Sequence, residues 1–179
     1  MARISKVRVA QFFQRADDAE TTTEAGRALE DLVCYLFEKV PGITLSKRNE
    51  LNKFESEEID VAFWNTQTGR GLYFLPNIIL VECKHWSRPV GSEQVSWFDN
   101  KLRNRGSLPF GILVATNGIT GNARDKTAAH DIIRGALHDG RQIVVITRSE
   151  IEQLTNGTQI INLIQEKLCE LAVSGTLFL

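Results

Sequence analysis

Cysteine is scarce in this chain, and its few copies are badly placed for cross-linking. Cys34, Cys83 and Cys169 are odd in number and scattered, with no CxxC pair and no Cys/His cluster. That disfavours a secreted disulfide scaffold and a zinc module, and fits a reducing cytoplasm. Long apolar runs are missing too: none approaches the roughly 18 residues of a membrane span. The opening MARISKVRVAQFF has neither the apolar core nor the cleavage site of a signal peptide. Repeats, low-complexity tracts and Pro/Gly-rich linkers are absent. What is present is 42% apolar and 24% charged residues in a chain of 179. That composition suits one globular domain able to bury roughly two-thirds of its unfolded surface without a staple.

Net charge is nearly absent as well, at −1. The sum conceals an uneven distribution. From Asp17 to Asp60 there are 12 acidic and 5 basic residues, and from Lys101 to Arg148 there are 8 basic and 3 acidic. Arg3, Lys6 and Arg8 make the first octet basic. Such a division is compatible with a polyanionic partner, and equally with two solvated helix faces.

The pattern along the chain predicts an N-terminal extension over residues 1–20 and one body over residues 21–179. The extension carries a short helix candidate around Val7 to Arg15. Thr21 and Glu24 have capping-box spacing, and Ala25, Ala28, Leu29, Leu32, Val33, Leu36, Phe37 and Val40 then recur at helical intervals until Pro41-Gly42. Ile43 to Lys47, Glu58 to Asn65 and Asn77 to Lys84 read as strands. Ser92 is placed to cap a helix bearing Val95, Phe98 and Leu102. The strand Phe110 to Thr116, a helix from about Asn122 to Leu137, the strand Gln142 to Thr147 and C-terminal helical segments follow. This order describes a three-layer α/β domain with a mixed central sheet flanked by helices.

Polar residues that interrupt apolar strands carry the chemistry. Glu82 and Lys84 end the run Ile78-Ile79-Leu80-Val81-Glu82-Cys83-Lys84, two apart and therefore on one face of a strand. Asp60 lies on the preceding strand candidate, with Ile59 and Val61 expected on its opposite face. Pairing of the two strands would bring two carboxylates and one ammonium to one sheet edge. Two hard carboxylates suit Mg²⁺, which keeps most of its water, and a lysine beside them can orient a nucleophile or steady phosphate charge. For an isolated Glu-x-Lys, a strand-end salt bridge is the commoner explanation.

The surrounding sequence resembles the PD-(D/E)xK nuclease superfamily, and within it the Mrr-like restriction endonuclease domains. Gly26-Arg27-Ala28-Leu29-Glu30 resembles the first-helix motif, and Glu58-Ile59-Asp60 the acidic second strand. Val81-Glu82-Cys83-Lys84-His85-Trp86, then Pro89-Val90-Gly91, Val95 and Phe98, is similar to the third strand and its helix. Val114-Ala115-Thr116-Asn117-Gly118-Ile119-Thr120 and Ile146 through Leu154 match the later elements. The likeness runs in order from about residue 24 to 155. It departs in having Ile59 where a proline often stands, and Glu82 where Mrr-like members often carry glutamine.

The resemblance implies a restriction-endonuclease-like fold and Mg²⁺- or Mn²⁺-dependent hydrolysis of DNA phosphodiesters, of restriction or defence type. Asp60 and Glu82 would be metal ligands, the Cys83 main-chain carbonyl a third, Lys84 the catalytic lysine, and Glu30 a further acidic group acting through water. Gln94 is a candidate auxiliary. His85, Lys101, Arg103, Arg105 and Asn117 are candidate DNA contacts, and Trp64, Trp86 and Trp97 candidate stacking groups. Alternatives are an inactive nuclease-fold module that binds DNA, or a junction or repair nuclease. With the catalytic domain filling the sequence, recognition is expected from loops, the extension, a second protomer in a homodimer, or other proteins of a defence system.

Overall fold

The computed structural model describes residues 2–51, 58–123 and 127–178. Its elements are α1 (Lys6–Asp17), α2 (Thr22–Phe37), β1 (Ile43–Leu51), β2 (Glu58–Asn65), β3 (Ile78–Lys84), α3 (Ser92–Asn104), β4 (Phe110–Ala115), α4 (Ala129–His138), β5 (Gln142–Ile146), α5 (Arg148–Gln153) and α6 (Gly157–Ser174). The five strands form one sheet in chain order. β1, β2 and β3 are antiparallel neighbours, whereas β3, β4 and β5 run parallel. The sheet is therefore mixed, with helices on both faces, as the alternation of patterns predicts.

Each face has its own core. Val61, Phe63, Ile79, Val81, Cys83, Ile112, Val114, Val144 and Ile146 pack against α2, α1 and α6. Ala62, Leu80, Leu113, Ala115, Ile143 and Val145 pack against α3 and α4. The continuous apolar runs of β3 and β4 follow from this covering on two sides. The capping box of α2 forms in full, with the Thr21 hydroxyl accepting from the Glu24 N–H and the Glu24 carboxylate accepting from the Thr21 N–H. The extension docks on the body: Val9, Phe13 and Ala16 of α1 are buried, and Phe12 meets Tyr35 of α2 at a ring separation of 5.7 Å.

Several local expectations are corrected. β1 runs on to Leu51, because Arg48, Glu50 and Leu51 continue the ladder with β2 after an irregularity at Leu45/Lys47. Gly91, not Ser92, is the N-cap of α3, and no side chain caps it. The helix expected from Asn122 crosses residues 124–126, which lie outside the described residues, and its described part starts at Ala129. Strict alternation in β2 also fails at Asp60, since Val61 belongs to the α2-side core and Ile59 to the α3-side core.

Candidate active site

The site begins where two strands part. The β2/β3 ladder runs from Trp64↔Ile78 to Val61↔Val81. Beyond that pair β3 continues beside β4, with Glu82↔Leu113, Cys83↔Val114 and Lys84↔Ala115 in register. Asp60 fills the opening: its Oδ2 accepts a hydrogen bond from the Cys83 N–H at 2.7 Å. Backbone polar groups of a strand alternate in direction. The Lys84 carbonyl accepts from the Thr116 N–H at 3.1 Å, on the β4 side. The Cys83 carbonyl therefore faces the β2 side, into the same opening as Asp60.

Glu82 projects towards α3 and is held between two ammonium groups. Its Oε1 is 2.7 Å from Lys84 Nζ, and its Oε2 is 2.6 Å from Lys101 Nζ. Glu82 is 6% exposed. Such burial of a charge requires this pairing. Asp60 and Lys84 line two clefts, one shared with Glu82, Trp97 and Lys101, the other with Glu30, Cys83, His85 and Trp86. The strand opening thus joins two depressions, with Glu82 in one and Glu30 in the other.

Electrostatics follow from this geometry. Burial, then the neighbouring Glu82 carboxylate, pushes the Asp60 carboxyl up to about 6, against the pull of Lys84, the Cys83 N–H and Lys101. Burial alone would lower the Lys84 ammonium, but the Glu82 and Asp60 carboxylates outweigh it and raise the group above its ordinary value. Burial is also the leading cause that pushes the Cys83 thiol up. Cys83 thus stays a neutral thiol, and it is its backbone that faces the opening.

Glu30 is engaged by a residue that the sequence reading passed over. Arg48 of β1 donates from Nε to Glu30 Oε2 at 2.8 Å and from Nη1 to Asp31 Oδ1 at 2.5 Å. Its Nη2 donates to the Arg27 carbonyl at 3.0 Å. His85 follows Lys84 and turns to the extension, with Nε2 3.0 Å from Asp17 Oδ1. Asp17 in turn pairs with Arg148 at 2.8 Å. Asp17 and Arg48 are separated from their partners by chain topology, and no spacing signal announces either.

The other candidates are spread out. Lys101 turns to Glu82 instead of solvent. Arg103 lies 3.3 Å from both Asp99 and Asp139, and Arg105 donates to the Lys101 carbonyl at 3.0 Å. Gln94 sits two turns before Lys101, its Nε2 3.4 Å from Glu93 Oε2. Asn117 donates to the Trp86 carbonyl and lines a cleft at the ends of β4 and β5. Trp64 and Trp97 are exposed, while Trp86 packs against the α3-side core. The patch expected from Lys101, Arg103 and Arg105 is thus a set of engaged cations, one of which belongs to the site.

Hard oxygen donors at a strand opening suit a divalent cation better than a soft metal. Among the described residues no three His, Cys, Asp or Glu side chains form a ready metal cluster. The available set is two carboxylates, a carbonyl on the same side, and water. A mixed five-stranded sheet with helices on both faces, opening onto two carboxylates and a lysine, defines a three-layer α/β class of protein. Residues 22–155 match the family model described as restriction endonuclease, the Mrr catalytic domain, and the chain belongs to that family. No curated protein matches the chain. Family membership supports an endonuclease, a hydrolase acting on nucleic acid. Among the described residues no helix is long and apolar enough to cross a membrane.

Proposed function

We propose that this protein is a divalent-metal-dependent DNA endonuclease of restriction or defence type, acting in the cytoplasm. The observation that carries the reading is the parting of β2 and β3 after Val61↔Val81, which leaves Asp60, Glu82, Lys84 and the Cys83 carbonyl around one opening. Asp60 and Glu82 would hold the cation with that carbonyl, while Glu30 would act from the neighbouring cleft through water. Mg²⁺ or Mn²⁺, once bound, supplies an acidified water and shields the phosphodiester. In the metal-free protein the Glu82 and Asp60 carboxylates raise the Lys84 ammonium above its ordinary value. Lys84 would orient the attacking water or steady charge on a phosphate oxygen. A homodimer would present two sites to the two strands of a duplex.

Purified protein with Mg²⁺ or Mn²⁺ is expected to nick plasmid DNA. Asp60→Asn, Glu82→Gln and Lys84→Met are each expected to lower the rate by at least about a hundredfold, with folding retained on circular dichroism. Undiminished cleavage in all three variants overturns the assignment.

A second reading, a DNA-binding module that does not cut, is favoured by the cation pairs already made by Glu82 with Lys84 and Lys101 and by Glu30 with Arg48. A site satisfied by lysine and arginine needs no metal for stability. Absence of cleavage together with metal-independent DNA binding would select it.

A further inference from the structure

Lys101 stands apart from the other basic residues of its helix. Its side chain is 12% exposed, while that of Arg103 is 52% exposed. Val95, Phe98 and Leu102 anchor α3 on the sheet, and Lys101 lies on the flank of that stripe, facing the end of β3. A closely packed glycine holds the helix there. A Cβ on Gly111 of β4 would lie 2.7 Å from Phe98 Cζ and 2.9 Å from Leu102 Cδ1. Lys101 is consequently fixed 2.6 Å from Glu82 Oε2, the oxygen that Lys84 does not take.

The charged groups lining the Glu82 cleft are three carboxylates, Glu58, Asp60 and Glu82, against three cations, Lys84, Lys101 and Arg103. They already balance. A divalent cation brought to Glu82 meets both ammoniums at short range, where like charges repel strongly. One of them then leaves the carboxylate, and a duplex phosphate is an anion able to receive it.

We propose that Lys101 is an exchange group that occupies Glu82 in the metal-free protein and transfers to a DNA phosphate when the cation binds. The inference rests on the metal-dependent reading above and adds to it a coupling between metal and DNA. Metal alone must displace an ammonium from Glu82 with no phosphate there to receive it. With DNA present, that ammonium gains a phosphate. Each ligand then tightens the other by the same factor, as linkage requires.

The test is calorimetric titration of Ca²⁺ into the full chain, with and without a short DNA duplex. It compares the wild type with Lys101→Met and the charge-retaining Lys101→Arg. The wild type is expected to bind Ca²⁺ more tightly with DNA than without it. Lys101→Met is expected to bind Ca²⁺ alone roughly three- to tenfold more tightly than the wild type, because a competing charge is gone. It should lose most of the tightening by DNA, while Lys101→Arg retains it. A thermal melt checks the fold of each variant, and Lys101→Gln carries the same expectation should the methionine variant melt early. Equal Ca²⁺ affinity and equal coupling in the wild type and the neutral variants overturn the exchange role alone. No Ca²⁺ binding by the wild type, with or without DNA, overturns the metal site itself.

Discussion

Asp60 is asked to be charged in a place that disfavours charge. Burial and Glu82 raise its carboxyl from the ordinary 3.8 to about 6. In the metal-free protein the folded state therefore binds more protons than the unfolded chain between these values. Its contribution to stability is full below about pH 4 and is lost as pH rises through about 6. A bound cation requires the ionised form, so metal affinity should run the other way and fall as pH drops below about 6. Calorimetry with Mn²⁺ from pH 5 to pH 8 should show this decline. Asp60→Asn should remove this residue's part of the pH dependence in metal-free melts, and an unchanged profile in that variant would contradict the assignment. At this scale much was legible. Glu82 and Lys84 share a face by parity alone, and Asp60 follows from strand pairing. The partners Arg48, Lys101 and Asp17 were not legible as such, because each contact depends on how a helix or strand docks. Ile59 departs from the face that alternation predicts for a related reason: alternation assumes an unbroken ladder, and the ladder opens at Asp60.

At the scale of elements, α3 carries Lys101 and Trp97 to the cleft, and its seat is specified by buried contacts. Asp99 of α3 makes a two-pronged pair with Arg141, Nε to Oδ1 at 2.6 Å and Nη2 to Oδ2 at 3.1 Å. Both side chains are nearly buried, so loss of Arg141 leaves Asp99 with only the longer 3.3 Å contact of the exposed Arg103. Arg141→Met is expected to cost about 3–5 kcal/mol of stability, read from the urea midpoint, and a change within about 0.5 kcal/mol would contradict it. Gly111→Ala should cost roughly 1–3 kcal/mol by overpacking against Phe98 and Leu102. It should also weaken the tightening of Ca²⁺ by DNA, because displacing α3 moves Lys101 away from its place beside the opening. Stability equal to the wild type would show that α3 yields without strain. The capping box of α2 and the apolar stripes of α2 and α3 were readable from spacing. The beginning of α4 was not, and neither was the tolerance of β4 for a helix at close range, which a glycine in an apolar run does not announce.

Across the whole molecule, near-neutral charge hides a division of labour. The carboxylates Glu30, Asp60 and Glu82 gather around the strand opening, each answered by lysine, arginine or a backbone N–H. The basic residues of α3 and the segment before β5 are largely paired with Asp99, Asp139 and Glu82. Of these paired cations of α3 and the segment before β5, Lys101 is the one that lies against a site carboxylate. The extension belongs to the same unit. Arg148 pairs with Asp17 and also lies 4.4 Å from the centre of the Phe13 ring, tying α1 to α5. The sequence pattern predicted a helix there, but docking depends on shape, which no spacing encodes. If the site takes up a cation, the folded state gains free energy by mass action. Millimolar Mg²⁺ should raise the melting temperature of the wild type and leave that of Asp60→Asn less changed. No shift in the wild type favours the non-cutting module.

Diffraction at the manganese absorption edge from crystals soaked in Mn²⁺ tests the central claim most directly. An anomalous peak is expected in the opening between β2 and β3, in contact with Asp60, Glu82 and the Cys83 carbonyl, with the Lys101 ammonium displaced from Glu82. Soaked crystals in which the opening holds no peak, with Glu82 still clasped by both lysines, would contradict the metal-dependent account.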